Sequence, residues 1–408
     1  MNYDEALQKV EQAKQVHVLK HYDGLTQEQK SELLSQIEVT DFSVIDACRN
    51  GELEVKKGEI KPLAAMELSE ISEKKETFLN TGLKAIRAGK VGAVLLAGGM
   101  GTRLGSDAPK GVYNIGLTKD VYIFERLIRN LLDVVDEAGV YVHLFVMTSD
   151  KNDQATRSFL KEHSYFGYKE EFVHFFMQDM APATNCDGDV YMESTYKMST
   201  SPNGNGGWFS SLVRADLLSF AHEQGVEWLN VFAVDNVLQR IADPVFVGAT
   251  IEAKAAVGAK VVRKNAPDEK VGVMCLEDGR PSIVEYYELT DELMNAKNES
   301  GDPAYNFGVI LNYLFDVAQL EEIYEKNLPL HVVEKKIPYM NEAGEHISPE
   351  SPNGYKYENL VLDMIHSLDS CLPFEVVRNF EFAPIKNKTG VDSVESARVL
   401  LEENGVVL

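Results

Sequence analysis

The apolar and polar positions divide the chain into a helical first part and a longer part in which strands and helices alternate. Up to about residue 88, apolar residues recur every three or four positions, which predicts helices at 6–19, 27–37 and 43–48. Beyond that point, continuous apolar runs of strand length alternate with segments of helical periodicity. This alternation predicts an α/β fold with three layers, in which a mostly parallel central sheet lies between helices.

The elements of the second part follow from the same pattern and from residues that begin or end helices. We expect strands at 91–97, 141–148, 172–178, 228–234 and 374–382, and a partly antiparallel β insertion at 260–264, 271–276 and 281–289. We expect helices at 120–137, 150–163, 208–224, 316–326, 357–367 and 393–403, and one that starts at Asp243-Pro244. Thr118 is a candidate cap for the first of these helices and Gly139 its stop, while residues 392–395 fit a capping box for the last one.

The composition is that of an acidic globular protein. Of the 408 residues, 44% are hydrophobic and 25% are charged, and the formal net charge is −24. A strongly negative chain is a poor partner for nucleic acid or an anionic membrane, so basic residues that bind phosphate should stand out locally. The N-terminus lacks a leader pattern, and the four cysteines have no metal-binding spacing, so we expect a cytoplasmic protein with reduced thiols.

The stretch 91–110, VGAVLLAGGMGTRLGSDAPK, carries the strongest signal for chemistry. Four glycines follow the predicted strand, so the backbone can approach a ligand and its N–H groups can line a nest for phosphate oxygens. Arg103 and Lys110 add positive charge where a polyphosphate would lie. The spacing differs from that of a P-loop and of the dinucleotide-binding G-x-G-x-x-G. A tight strand-to-helix turn without a ligand is the alternative.

Two acidic segments are candidates for metal binding. Asp235 ends the predicted strand at the sheet edge that also carries the glycine loop, where a carboxylate beside phosphates suits Mg²⁺. An Asx turn or helix cap formed by Asp235 or Asn236 is the alternative. The segment 187–189 has the D-x-D form of glycosyltransferase metal sites, although its surroundings favour an Asp-Gly hairpin turn. Lys356 and Lys386, taken alone, read as surface lysines.

The signature LAGGMGTRLG…PK at 96–110 resembles that of the UDP-N-acetylhexosamine pyrophosphorylases, in the type 1 UDP-sugar pyrophosphorylase family. Further segments resemble the family in the same order: FFMQDMAP (175–182), GNGG (204–207), FAVDN (232–236), VGV (271–273), VEY (284–286), EKKIPY (334–339), PNGYK (352–356) and PIKN (384–387). The resemblance covers nearly the whole chain. It implies a Rossmann-like nucleotidyltransferase fold with a helical N-terminal subdomain at 1–88, a catalytic domain at 89–370, and a C-terminal segment at 371–408 that completes the phosphate site.

The resemblance also implies roles for individual residues. The UTP site would consist of Leu96, Ala97, Gly98, Gly99, Lys110, Gln178, Gly204, Asp235, Gly272 and Lys356, and the sugar site of Asn205, Glu285, Tyr286 and Lys386. Asp235 would hold the metal, Mg²⁺. Arg103, Lys110 and Lys386 would be the catalytic cations. In this family Lys356 and Lys386 would both reach phosphates.

The expected activity is uridylyl transfer, in which UTP and a sugar 1-phosphate give a UDP-sugar and pyrophosphate. N-acetylglucosamine 1-phosphate is the expected sugar substrate, with glucose or galactose 1-phosphate as alternatives. Two different functions also stay open, namely a UDP-sugar-consuming glycosyltransferase and a UDP-sugar-binding sensor without catalysis. Two positions depart from the eukaryotic family members, because Asn203 replaces an aspartate and Val309 replaces an asparagine of the sugar pocket. Since valine cannot hydrogen-bond a hydroxyl, we expect loosened sugar selectivity.

Overall fold

The computed structural model describes residues 1–49, 57–324 and 330–408. The helices are α1 (Tyr3–Gln12), α2 (Gln27–Val39), α3 (Val44–Arg49), α4 (Leu68–Arg87), α5 (Ile123–Ala138), α6 (Asp153–Glu162), α7 (Trp208–Arg214), α8 (Leu217–Glu223), α9 (Pro244–Glu252), α10 (Asp291–Asn295), α11 (Val317–Tyr324), α12 (Val361–Ser367), α13 (Arg378–Glu381) and α14 (Val394–Glu403). The strands are β1 (Ile60–Pro62), β2 (Val91–Leu96), β3 (His143–Thr148), β4 (Val173–Met177), β5 (Met180–Pro182), β6 (Thr184–Asn185), β7 (Met192–Ser194), β8 (Lys197–Met198), β9 (Thr200–Pro202), β10 (Trp228–Ala233), β11 (Val257–Arg263), β12 (Val273–Glu277), β13 (Arg280–Val284), β14 (Phe307–Asp316), β15 (His331–Lys335), β16 (Tyr339–Met340), β17 (His346–Ile347), β18 (Gly354–Glu358) and β19 (Cys371–Glu375).

The chain forms two compact units, each assembled from segments that are distant in sequence. The first consists of Met1–Lys56, Gln178–Trp208 and Leu328–Asp363, and the second of Lys57–Met177, Phe209–Asn327 and Met364–Leu408. The division at 1–88, 89–370 and 371–408 stays a prediction. The N-terminal part is mostly helical, but the helix expected at 6–19 ends at Gln12, where Lys14 soon takes a left-handed conformation (φ 59°), and β1 lies within the region. The compact units also join this part to later segments of the chain.

The second unit is built on the large mixed sheet. Its centre is parallel, since β10 pairs with β2, β2 with β3, and β3 with β4, all in parallel. The rest is partly antiparallel: β14 runs against β10, β11 and β12, and β12 also pairs with β1 and β13. This confirms the predicted α/β sheet with its antiparallel section. In the parallel ladder Ala233 lies opposite Leu96, so β10 and β2 both end at the same edge of the sheet.

The strands and helices around this edge follow their sequence patterns. All six residues of β2 are buried, as expected for a continuous apolar strand covered on both faces. The helix α5 buries one apolar stripe and ends at Gly139, which takes the left-handed conformation (φ 76°) predicted for a stop. Asp243 caps α9 by accepting a hydrogen bond from the Val245 N–H, with Pro244 at the first helical position.

The first unit has an apolar core of its own. That core combines α1 and α2 with residues of several short strands, and includes Ala6, Val10, Leu33, Ile37, Ala181, Met198 and Tyr357. Its longest ladder places β18 between β15 and β6. Within the described residues of the whole chain, no helix is both long and apolar enough to cross a bilayer.

Two expectations about helix boundaries in the middle of the chain were wrong. Thr118 does not cap α5, because its N–H and hydroxyl both donate to the Leu408 carbonyl and the helix begins at Ile123. The helix expected at 208–224 is divided into α7 and α8, because Asp216 takes a left-handed conformation (φ 58°) between them.

Three boundaries near the end of the chain also differ. The strand expected at 374–382 ends with β19 and is followed by the short helix α13, and Tyr357 belongs to β18, so the helix expected from it begins only at Val361. A short apolar run does not distinguish a strand from a helix, and here Phe380 is 61% exposed. The helix at the end of the chain begins at Val394 and is capped by Ser393 with Ser396, in place of the expected pair at 392 and 395.

Candidate active site

The glycine loop after β2 is held at its base by a buried asparagine. The Asn152 Nδ2 donates to the carbonyls of Ala97 (2.9 Å) and Gly99 (3.3 Å), and the Lys110 N–H donates back to the Gly99 carbonyl (3.1 Å). Within the part of the chain that the structure describes, the N–H groups of Gly98 and Gly99 have no acceptor. A Cβ added to Gly99 would meet no atom within 4 Å. The loop therefore presents two backbone donors beside open space, as an anion site requires.

Lys110 and Asp235 face each other at the edge where β2 and β10 end. The Lys110 Nζ lies 3.8 Å from the Asp235 Oδ2, and the two side chains are 16% and 24% exposed. Burial lowers the pKa of Lys110 from its ordinary value; the Asp235 carboxylate opposes this, and the cations of Arg103 and Lys386 add to it. Lys110 thus feels two further cations besides the Asp235 carboxylate, which is a notable gathering of positive charge in an acidic protein.

Lys386 reaches this place from the end of the chain. The Ile385 N–H donates to the Asp235 carbonyl (2.8 Å), so the next residue, Lys386, is fixed beside the end of β10. The Lys386 Nζ lies 3.2 Å from the Asp392 Oδ2, and its N–H donates to the Asp392 carbonyl (2.7 Å). Asp392 takes a left-handed conformation (φ 52°), which is uncommon for a residue other than glycine. The Lys386 side chain, which is 43% exposed, is therefore held by Asp392, and its role at a phosphate stays a prediction.

Gly272, Glu285 and Val309 form a second cluster in the same unit. A Cβ on Gly272 would lie 3.5 Å from both Glu285 carboxylate oxygens, and the Val309 N–H donates to the Gly272 carbonyl (2.9 Å). Burial raises the pKa of Glu285, the Glu288 carboxylate adds to the rise, and the Lys386 cation opposes it. Lys386 acts electrostatically on both Lys110 and Glu285, so it lies near the predicted phosphate-binding residues and also near the predicted sugar-binding residues. Tyr286, next to Glu285, is 41% exposed.

The second glycine-rich loop belongs to the first unit and packs on that unit's own backbone. A Cβ on Gly204 would lie 2.2 Å from the Asn359 carbonyl oxygen, and Gly204 has a φ of 87°. The Asn205 Oδ1 accepts a hydrogen bond from the Val361 N–H (3.0 Å). The Asn205 Oδ1 is therefore already used in a hydrogen bond within the protein. Its Nδ2 is the side-chain group that is left for a sugar in the predicted site.

Asn203, where the eukaryotic family members carry aspartate, is also enclosed in this loop. Its N–H donates to the Asp179 carbonyl (3.1 Å) and its carbonyl accepts from the Asn359 N–H (2.6 Å). Its Oδ1 is buried without a hydrogen-bond partner among the described residues. Two other predicted residues lie in the same unit: Gln178 is buried, and Lys356 lies on β18 and is half-buried.

The predicted site residues thus fall into two sets. Leu96, Ala97, Gly98, Gly99, Arg103, Lys110, Asp235, Gly272, Glu285, Tyr286 and Lys386 belong to the second unit, whereas Gln178, Gly204, Asn205 and Lys356 belong to the first. The residues in the second unit include most of the predicted charges. The alternative of a plain turn does not account for the cations gathered on the glycine loop of the second unit.

The D-x-D segment forms a turn. The Asn185 Oδ1 accepts from the N–H groups of both Asp187 and Asp189, and Gly188 has a φ of 85°. Across the described residues, no group of three or more His, Cys, Asp and Glu side chains is arranged to hold a metal ion. At the other candidate, it is Asn236 whose side chain bonds to the backbone, while the Asp235 carboxylate faces Lys110.

Three residues that support this site carry no strong signal in the sequence. They are Asn152, which holds the glycine loop, Asn236, which holds the segment before Lys386, and Asp392, which holds Lys386 itself. Each is an Asx residue that sequence reasoning reads as a turn or a cap, because the contacts that matter come from distant segments.

Comparisons with known proteins identify the family of this chain. The family described as UTP–glucose-1-phosphate uridylyltransferase matches residues 42–408. The chain is 35% identical over 406 residues to the UDP-N-acetylhexosamine pyrophosphorylase-like protein 1 of Mus musculus (94% of this chain, 80% of the relative). It is 33% identical over 418 residues to the UDP-N-acetylglucosamine pyrophosphorylase of Saccharomyces cerevisiae (95% and 87%).

A solved structure extends the match to the fold. The uridine diphosphate N-acetylglucosamine pyrophosphorylase of Trypanosoma brucei, crystallised with an inhibitor, superimposes with a TM-score of 0.84 at 28% identity, over 98% of this chain and 84% of that one. The predicted nucleotidyltransferase fold is thereby confirmed. The chain belongs to the UTP–glucose-1-phosphate uridylyltransferase family of nucleotidyltransferases.

Proposed function

We propose that this chain is a Mg²⁺-dependent uridylyltransferase that converts UTP and N-acetylglucosamine 1-phosphate into UDP-N-acetylglucosamine and pyrophosphate. The names of its relatives supply the reaction class and the sugar. The observation that carries the proposal is the gathering of Lys110, Asp235 and Lys386 beside the glycine loop. The proposed location is the cytoplasm. The proposed substrate UTP and the free cysteines Cys275 and Cys371 support it.

The proposed reaction needs charge and position more than it needs a nucleophilic side chain. A phosphate oxygen of the sugar 1-phosphate attacks the α-phosphorus of UTP in line, a new P–O bond forms, and the bond to the β-phosphate oxygen breaks. Pyrophosphate leaves with that electron pair. Transfers of this kind depend on alignment and on neutralising phosphate charge. The Gly98 and Gly99 N–H groups would bind oxygens of the leaving group, and Arg103 and Lys110 would stabilise its charge.

Asp235 fits a magnesium ion that is shared with the substrate. Its carboxylate is partly exposed at the edge of the sheet and lies 3.8 Å from the Lys110 Nζ, whose charge it stabilises. Mg²⁺ is typically bound through one or two carboxylates plus substrate phosphates, so a site with few protein ligands agrees with the donor set. When bound, the ion would neutralise phosphate charge. Asp235 would orient it, while Lys110 stays close enough to reach the same phosphates.

Lys386 and Glu285 would place the second substrate. The Lys386 cation acts on both Lys110 and Glu285, so it can bind the sugar phosphate while Glu285 accepts hydrogen bonds from sugar hydroxyls. Tyr286 would pack on the sugar ring. In the second unit, Gly272 is also proposed for the uridine. In the first unit, considered by itself, Gln178 and Gly204 are proposed for the uridine, Lys356 for a phosphate, and Asn205 for the sugar.

Pyrophosphate release tests the proposal. Purified protein with UTP and Mg²⁺ is given N-acetylglucosamine, N-acetylgalactosamine, glucose and galactose 1-phosphates in separate reactions, each repeated with excess EDTA. We expect turnover with N-acetylglucosamine 1-phosphate that EDTA abolishes. Absence of turnover with the whole panel contradicts the proposal. UDP-sugar binding without turnover would instead identify a sensor, and sugar transfer from UDP-sugar a glycosyltransferase.

The same panel tests the sugar preference. Val309 is adjacent to Gly272 and Glu285 and presents no hydrogen-bonding group, so discrimination between epimers should be weak. Val309→Asn should sharpen the preference for one epimer by roughly 1–2 kcal/mol, the contribution of one restored hydrogen bond. A parent enzyme that already separates the epimers by several orders of magnitude would contradict the role given to Val309.

A further inference from the structure

We propose that Asn236 is a positioning residue that sets Lys386 beside Asp235, by holding the segment 381–386 against the end of β10. The inference rests on the proposed function, in which Lys386 binds a phosphate. It extends that function to a residue that contacts neither substrate nor metal and acts through Lys386.

The Asn236 side chain bonds to this segment as the backbone of a neighbouring strand would. It is 2% exposed, its Nδ2 donates to the Glu381 carbonyl (2.7 Å), and its Oδ1 accepts from the Ala383 N–H (2.9 Å). One donor and one acceptor from a single amide therefore satisfy two backbone groups two residues apart. This is the spacing at which a strand presents successive groups to one side.

The backbone continues the same pattern towards Lys386. The Val237 N–H donates to the Ala383 carbonyl (3.4 Å), and the Ile385 N–H donates to the Asp235 carbonyl (2.8 Å). Residues 381, 383 and 385 thus all bond to the turn that follows β10. Because the spacing is fixed at each step, a shift of the segment at Ala383 would displace Lys386 from Asp235.

A second hold acts on the segment only at its beginning. The Glu381 carboxylate accepts from the Lys260 Nζ (2.5 Å) and from the Arg240 N–H (3.2 Å), and Lys260 is completely buried. These contacts should keep the segment attached when Asn236 is replaced. Asp392 holds the other end of the segment through Lys386, and neither hold reaches Ala383. Loss of Asn236 should therefore loosen the position of Lys386 relative to Asp235 without detaching the segment.

Asn130 on α5 provides a matched control. It is a buried asparagine (7% exposed) whose Nδ2 donates to the carbonyls of Val237 and Gln239, both at 3.0 Å. It therefore holds the same turn after β10 with the same chemical group, but through residues 237 and 239 instead of segment 381–386. Its loss should affect the stability of the turn and reach segment 381–386 only through the long Val237–Ala383 hydrogen bond (3.4 Å), so it should be nearly independent of Lys386.

The test is a pair of double-mutant cycles on turnover. Asn236→Ala should lower kcat about tenfold, the size of one weakened contact to a charged group, with the KM for UTP nearly unchanged. In a Lys386→Ala background the same change should cost less than about twofold, since the residue through which it acts is gone. Asn130→Ala, whatever its own effect, should be additive with Lys386→Ala.

The outcomes separate positioning from general support. An Asn236→Ala loss that is equally large with and without Lys386 overturns the proposal, as does coupling of the same size for Asn130. Circular dichroism and thermal unfolding establish that each variant is folded. If Asn236→Ala is recovered unfolded, Asn236→Ser, which keeps a polar group and more volume, takes its place in the cycle.

A binding cycle keeps this test independent of the proposed reaction. The affinity for UDP-N-acetylglucosamine is measured by calorimetry in the same variants, and the same coupling between Asn236 and Lys386 is expected. A parent that binds this ligand but turns over no sugar phosphate refutes the proposed reaction, while the coupling still decides the role of Asn236. Binding that no Lys386 variant weakens overturns the positioning role itself.

Discussion

The two glycine-rich loops look alike in the sequence but serve different purposes. In the loop after β2, Gly99 and Gly105 have no atom within 4 Å of an added Cβ. In the loop before α7, a Cβ on Gly204 or Gly206 would lie 2.2 Å or 2.6 Å from the backbone of residues 359 and 360. The first loop therefore leaves room for a ligand at these glycines. In the second loop, glycine is required at these positions because the backbone of residues 359 and 360 occupies the space of a Cβ.

The polar groups of the two loops differ in the same way. Around the first, the Arg103 and Lys386 cations act on Lys110, and the N–H groups of Gly98 and Gly99 have no acceptor among the described residues. In the second, the Asn205 Oδ1 is bonded to the Val361 N–H and the Asn203 backbone is bonded on both sides. A glycine loop is thus informative about ligands only together with its unsatisfied donors and charges. Substitutions in the first loop should affect activity without lowering stability, whereas substitutions at the packed glycines of the second loop should lower stability.

The largest expected effect is at the carboxylate beside the first loop. Asp235→Asn keeps the shape of the side chain but removes the charge that would hold Mg²⁺, so turnover should fall below detection. The Mg²⁺ dependence of UTP binding, measured by calorimetry, should disappear with it. A variant that keeps the Mg²⁺ dependence of the parent would place the ion elsewhere, and Asp392 would then be the next carboxylate to replace.

Lys110→Ala should have the next largest effect. Contacts that stabilise charge in the transition state are worth about 3–4 kcal/mol, which corresponds to a hundred- to a thousandfold in kcat. The melting temperature should stay close to that of the parent, because the side chain contributes charge and little packing. If kcat is near that of the parent, the lysine does not neutralise the leaving group.

A pair of glycine substitutions tests the comparison directly. Gly204→Ala places a Cβ against the Asn359 carbonyl, in a backbone conformation (φ 87°, ψ 171°) open almost only to glycine. Strain and overpacking together should lower the free energy of unfolding by about 2–5 kcal/mol. Gly99→Ala, the matched change in the open loop, should leave unfolding unchanged and weaken UTP binding. The reverse assignment of the two effects would refute the distinction between the loops.

The smallest expected effect concerns the pH at which turnover declines on the alkaline side, which should be lower than for a surface lysine. Because burial lowers the pKa of Lys110 below its ordinary value of 10.5, this cation loses its proton at a lower pH than a surface lysine does. Turnover should therefore decline on the alkaline side before pH 10.5, and Lys110→Arg should move that decline upward. Between the lowered pKa and 10.5 the unfolded chain binds more protons at this residue, so its contribution to stability rises with pH. A decline that coincides with unfolding would contradict this assignment.

Much of the fold could be predicted because its signals are local. The buried strand β2, the stop of α5 at Gly139 and the cap of α9 at Asp243 depend on neighbours in sequence, and the structure confirms each of them. The predictions that were wrong depend on distant partners. Thr118 was expected as a cap because of its type, yet it bonds to Leu408, which no local pattern reveals.

The site shows the same limit. The glycine loop and Asp235 follow strands, so the sheet edge they share could be inferred from the order of the elements. Lys386 has no such signal, and its importance came from the family resemblance. The Asn236 and Asp392 contacts that fix it join segments more than a hundred residues apart or involve an uncommon backbone conformation. Geometry of this kind is decided by tertiary packing.

The pairing of β19 with β11 has a consequence for the order in which the protein is made. β19 adds in parallel to a strand synthesised much earlier, and Lys386 follows it in the chain. When residues up to 370 have left the ribosome, the glycine loop, Asp235 and most strands of the sheet are available. Lys386, the last of the three proposed catalytic cations, is still missing. Until then β11 presents an unpaired edge, so a stalled or truncated product is both inactive and open to association. Completion of the proposed phosphate site and closure of that edge belong to the same late step.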